Sequence, residues 1–143
     1  MQRAYAQGTS VPVGNTRTEI ERLLEKNGAT GFMFGNTAGQ ALLAFEMQAR
    51  RLKFVIPMPI QTRSFTEAKV AAETRRRWRA LLLVLKAKLE AVRSGIVEFD
   101  VEFLPFVVVR GGETVAEQMV PQMREALASG DKLPPLLGTG SAS

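Results

Sequence analysis

Apolar positions along the chain change their spacing several times, and each change marks an expected element. Residues 1–14, MQRAYAQGTSVPVG, show no period and carry Gly8, Pro12 and Gly14. They predict an extended arm that orders against a partner. TRTEIERLLEKNG then sets Ile20, Leu23 and Leu24 on one helical edge, with Thr16 and Glu19 at capping-box spacing and Gly28 at the stop.

The next thirty residues alternate with period two. In RRLKFVIPMP, Leu52, Phe54 and Ile56 point one way and Arg51, Lys53 and Val55 the other. In QALLAFEMQA, Leu43, Phe45 and Met47 alternate with Leu42, Ala44, Glu46 and Gln48. With TGFMFG before them, and polar breaks at Asn36–Gly39 and Gln48–Arg51, these runs predict a three-stranded antiparallel meander. One face is expected to be apolar and the other a mixture of basic and amide groups. Pro57 and Pro59 end the third strand, because proline cannot donate to a ladder.

Ser64 and Glu67 repeat the capping-box spacing and open a helix reaching Ser94, roughly 45 Å long. Trp78, Leu81, Leu82, Leu85, Leu89 and Val92 form its apolar stripe. Segment 96–110 fits two patterns: Val97, Phe99, Val101 and Phe103 alternate as in a strand, while Ile96, Phe99, Phe103 and Phe106 fit a helix. Pro105 favours a short helix followed by an extended Val107–Val109. Gly111 and Gly112 turn the chain, and Thr114 with Glu117 starts a last helix through about Leu127, interrupted by Pro121. The expectation is an α+β fold: a short N-terminal helix, the three-stranded antiparallel meander, a long amphipathic helix packed on the sheet, and C-terminal helices. The single domain covers 15–137, between the arm at 1–14 and a flexible tail at 138–143.

The 143-residue chain has 45% hydrophobic and 23% charged residues, ordinary for one globular domain. Charge changes the picture more: nineteen Lys and Arg against fourteen Asp and Glu give +5, with a pI of about 10.1. That field favours nucleic acid, acidic lipid or an acidic protein without choosing among them. The chain has no Cys and no His. Disulfides, thiolate zinc sites and Ser-His-Asp or Cys-His mechanisms are thereby closed. Neither a signal peptide nor a membrane-spanning run is visible, so the expected location is the cytoplasm.

Candidate chemistry is correspondingly thin. Glu67 and Lys69 form an E-x-K pair with no upstream aspartate to share a metal. Glu98, Asp100 and Glu102 read more simply as a charged edge than as a Mg²⁺ site. RGGET at 110–114 lacks the spacing of a phosphate loop. A non-enzymatic protein without cofactor or metal is expected.

Two basic clusters remain. Arg75, Arg79, Lys86 and Arg93 fall within about 40° on a helical wheel, and Arg76 adds charge at another angle. The plain alternative is the solvent side of an amphipathic helix. The second cluster is Arg50, Arg51 and Lys53 on the third strand, with Arg63 beyond it; its alternative is an edge strand guarded by charge. Trp78 among the arginines could stack on a base, but its angle places it on the buried side.

RRRWRALLLVLKAKLEAVRSGI, with FVIPMP upstream and VPQM and LPPLL downstream, resembles a family of small uncharacterised proteins encoded by phages and prophages. The likeness runs from about Thr16 to Leu137. It carries no site residues, and it implies a DNA-associated role, in replication or recombination, inside a bacterial host cell. It also favours helix for Val97–Pro105. The expectation that follows is a protein binding nucleic acid, single-stranded DNA above all, and forming homo-oligomers. Its binding residues would be Arg50, Arg51, Lys53, Arg63, Arg75, Arg76, Arg79 and Lys86, acting on backbone phosphates. The alternative is a protein-binding module, either a phage inhibitor of a host protein or a homo-oligomeric assembly protein.

Overall fold

A computed structural model describes residues 12–130. The expected arm at 1–14 therefore lies outside the described residues as far as residue 11, its last two residues belong to a helix instead, and the tail expected at 138–143 lies outside them altogether.

Helix α1 (Val13–Lys26) begins three residues before its expected cap. Pro12 stands at the N-cap with extended backbone, and its carbonyl accepts from the N–H groups of Asn15 and Thr16. Thr16 is not a cap but a buried residue at the end of the first turn, and Glu19 turns to another helix. Core contact by Val13 and burial of Thr16 outweigh the local capping signal. The stop is as expected: Gly28 takes φ +94°, its N–H bonds Glu25 O, and Ala29 N–H bonds Leu24 O.

Strands β1 (Gly31–Thr37), β2 (Gln40–Met47) and β3 (Arg50–Pro57) form an antiparallel sheet in chain order. The turns are tighter than expected. Two residues, Ala38–Gly39 and Gln48–Ala49, join the strands, so Asn36 and Arg50 belong to the ladder. Register places Phe32, Phe45 and Leu52 in one row and Phe34, Leu43 and Phe54 in the next, all on the inner face. On the outer face the rows are Gly31–Glu46–Arg51, Met33–Ala44–Lys53 and Gly35–Leu42–Val55. That face is more apolar than the expected basic and amide mixture, since Gln48 sits in the turn.

Helix α2 (Glu67–Arg93) lies across the inner face; at 27 residues it is about 40 Å long. Its cap is Thr66, whose hydroxyl accepts from Lys69 N–H, rather than Ser64. The apolar stripe behaves as its spacing requires: Trp78, Leu82 and Leu85 have at most 1% exposure. Trp78 meets Phe34 edge-on at 5.5 Å between ring centroids, the role that the wheel favoured over base stacking.

Beyond Gly95 the helical reading of the ambiguous segment holds. Helix α3 (Phe99–Glu102) and a 3-10 turn at Leu104–Phe106 bury Phe99 and Phe103 and stack Phe106 over Phe54 at 4.0 Å. Val107 then bridges Leu52, and Val108 N–H bonds Arg51 O, so the extended residues cover the edge of β3. Gly111 and Gly112, both at positive φ, turn the chain into α4 (Val115–Ala128). Thr114 and Glu117 complete the capping box there. Pro121 does not interrupt α4, which runs on as one helix. Pro121 is exposed, and the helix gives up one backbone bond there without breaking.

Candidate functional site

The eight expected binding residues do not assemble into one surface. Arg51 and Lys53 stand on the outer face of the sheet, whereas Arg75, Arg76, Arg79 and Lys86 ride on α2, which packs against the inner face. The sheet stands between the two sets.

Most of these cations also have anionic partners. Arg50 binds Asp100 at the start of α3 with both prongs, Nε to Oδ1 at 2.8 Å and a terminal nitrogen to Oδ2 at 2.6 Å. Arg51 meets its cross-strand neighbour Glu46 at 3.0 Å, although its side chain stays 78% exposed. Lys53 donates to the carbonyl of Gly112 at 3.0 Å and lies 3.5 Å from Glu117. Arg76 and Arg77 share Glu73, and Arg77 also donates to the Pro57 carbonyl at 2.6 Å, tying α2 to the end of β3. Arg79 reaches Glu19 of α1 at 2.8 Å, and Arg93 pairs with Glu90. Among the described residues, Arg63 and Lys86 show no ion pair or hydrogen bond; Arg75 does have a partner. The two arginines on Glu73, Arg77 above all, hold that carboxyl below the usual carboxylate range.

The acids singled out as possible metal ligands are engaged in the same way. Asp100 serves Arg50, and Glu102 serves Lys88 at 3.1 Å, whose ammonium also lies over the Phe106 ring at 5.0 Å. Among the described residues no group of three or more His, Cys, Asp or Glu could hold a metal, and no helix is long and apolar enough to cross a membrane.

Of the α2 cations, Arg79 does adjoin a cation of α1. Arg22, which charge patterning along α2 could not find, lines one concavity with Arg79, and Arg79 lines another with Arg76 and Leu83. Arg17, also missed, sits in the helix interface, with its guanidinium carbon 4.6 Å from the Trp78 ring centroid and 5.2 Å from that of Phe34. An aromatic three or four residues from a cation on one helix can be read from sequence; this pair spans two helices and cannot.

The strongest unmet demand is apolar and belongs to α4. Val115, Met119, Val120, Met123, Ala126 and Leu127 fill an arc of about 140° on its wheel, with Gln118, Gln122, Arg124 and Glu125 on the polar side. None of its residues is buried, and Met119, Met123 and Leu127 are each 51–53% exposed. Its root is fixed by the capping box, the Val108–Thr114 bridge and Lys53. The Thr114 N–H donating to Glu117, with Lys53 beside it, holds that carboxyl below its ordinary range.

Next to that root the outer sheet face forms an open groove of about 420 Å³, lined by Met33, Leu42, Ala44, Lys53, Val108 and Gly112 among others. Its floor is bare backbone at Gly31, where a Cβ would meet nothing within 4 Å. The chain matches no protein-family model, no curated protein and no solved structure.

Proposed function

We propose that this is a non-enzymatic protein-binding module whose binding element is α4. The observation that carries the reading is an ordered, capped helix with a clean apolar arc and no buried residue. A 14-residue helix is marginal in water by itself, and most helical stability comes from packing an amphipathic face. A side that exposes Met119, Met123 and Leu127 gains its packing from a partner. Methionine suits such a surface because its unbranched, polarizable chain adapts to the groove it enters.

The test is site-specific photocrosslinking in the producing cell. A photoreactive residue in place of Met123 should give a discrete adduct, and the same residue in place of the exposed Lys69 on α2 should not. Absence of any adduct at position 123, with α4 still formed, rejects the reading.

Nucleic-acid binding is the second reading, favoured by one observation: Arg79 adjoins Arg22 of α1 on one side and Arg76 of α2 on the other, and Arg75 and Lys86 continue the basic line along α2. It asks less of the sheet cations than the eight-residue surface did, and it must compete with Glu19 and Glu73 for its own arginines.

A further inference from the structure

Among the described residues two apolar surfaces stand uncovered, and they adjoin. The groove on the outer sheet face includes Gly112 and Val108, and α4 begins three residues after Gly112. Resting on the reading of α4 as the binding element, we propose that its occupant is a second copy of this chain. The α4 helix of each copy lies along the outer sheet face of the other.

Four observations support this pairing. The first is polarity: a sheet face that meets water alternates to polar residues, whereas here Met33, Leu42, Ala44 and Val55 carry the outer rows. Met33 is 57% exposed and Val55 42%. The second is shape. Gly31, Gly35 and Ala44 leave the floor low, and where a Cβ is built on Gly35 it meets only Leu42. A helix can therefore approach closely there. The third is length: fourteen residues of helix span about 21 Å, and strands of seven or eight residues run about 23–27 Å. The fourth is charge. The groove presents Glu46 beside Arg51, and the free half of α4 presents Arg124 next to the edge of its apolar arc, where it can face Glu46.

The root of α4 decides between its own groove and that of another copy. The Val108–Thr114 bridge and the contacts of Lys53 to Gly112 and Glu117 hold the first turn, yet no residue of α4 lines the groove, and Met119, Met123 and Leu127 stay exposed. A two-fold axis beside that root lets each helix enter the other groove, and the contact then closes on itself rather than growing into a filament.

The chain has no cysteine, so introduced thiols report without background. Ala44→Cys and Met123→Cys are made in separate full-length chains, mixed and oxidised. The mixture should yield disulfide-linked pairs that neither variant yields alone, and light scattering of the unaltered protein should give twice the 15.7 kDa chain mass. Met33→Asp should weaken that association by more than about tenfold, with Trp78 emission unchanged because its buried site lies on the other side of the sheet. A monomer at every concentration overturns the proposal, as it would if residues 131–143 or nothing filled the groove. Linkage by Met123→Cys alone, which means helix against helix, also overturns it, as does a dimer indifferent to Met33→Asp. The two readings separate at position 123: a photoadduct only with a different protein keeps the α4 reading and sinks this one, and no adduct sinks both.

Discussion

Arg50 and Asp100, fifty residues apart in the chain, meet through two parallel hydrogen bonds, while a third from Arg50 reaches the Gln48 carbonyl at 2.6 Å. One guanidinium thus joins the β2–β3 turn to α3. Both side chains are about half exposed, so the pair is worth little in stability. Asp100→Asn is expected to move the urea midpoint by less than about 1 kcal/mol equivalent.

The turn beneath that arginine is strained. Gln48 and Ala49 both take positive φ, 51° and 63°, where Asn-Gly is the usual choice. An L-residue there costs about 1–2 kcal/mol, partly offset by the extra chain entropy glycine loses on folding. Ala49→Gly should therefore stabilise the protein by roughly 0.5–1 kcal/mol in chemical denaturation. Gly39→Ala should do the reverse, since Gly39 is at φ +86° and a new Cβ would meet Ile60 at 3.3 Å.

Leu85 and Leu83 differ by two residues and by everything that matters energetically: the first is fully buried, the second 56% exposed. Leu85→Ala should cost about 2–5 kcal/mol, and Leu83→Ala should stay within about 0.5 kcal/mol. Thermal melts of the two variants check this.

Acid should loosen the root of α4. The folded state holds Glu117 below its ordinary value, so its contribution is complete above the unfolded value of about 4.3 and is lost as pH falls through the lower folded one. Amide exchange at the first turn of α4 should accelerate across that window. Glu117→Gln keeps an acceptor for the Thr114 N–H but removes the charge, and should flatten the dependence.

Oligonucleotide titration weighs the basic line. If several phosphates are bound, affinity for a single strand falls by about 0.7 log units per log salt for each. With Arg50, Arg51, Lys53, Arg76 and Arg79 already beside acids or carbonyls, a slope of no more than about two such contacts is expected. Trp78 emission should not change on adding oligonucleotide, because the ring is 1% exposed. A steep slope with Trp78 quenching would return the basic line to first place.

Periodicity determined the first helix, the three strands with the inner face of their sheet, and the leucine stripe of the long helix with Trp78 inside it, and Gly28 marked the first helix's stop; segment 96–110 fitted two periods, and Pro105 was needed to choose between them. Those are local matters: side-chain direction repeats every two or 3.6 residues, and positive φ selects glycine. Helix starts were less legible, since Thr16 and Thr66 each competed with tertiary contacts or a neighbouring cap for the role. The meeting of cations with acids was not legible at all. Glu19, Asp100 and Glu117 neutralise residues 60, 50 and 64 positions away, a pairing that no short-range pattern encodes. The same holds for the bare arc of α4 and the open outer sheet face. Sequence shows that a face is apolar, but only the packing of the whole chain decides whether anything covers it.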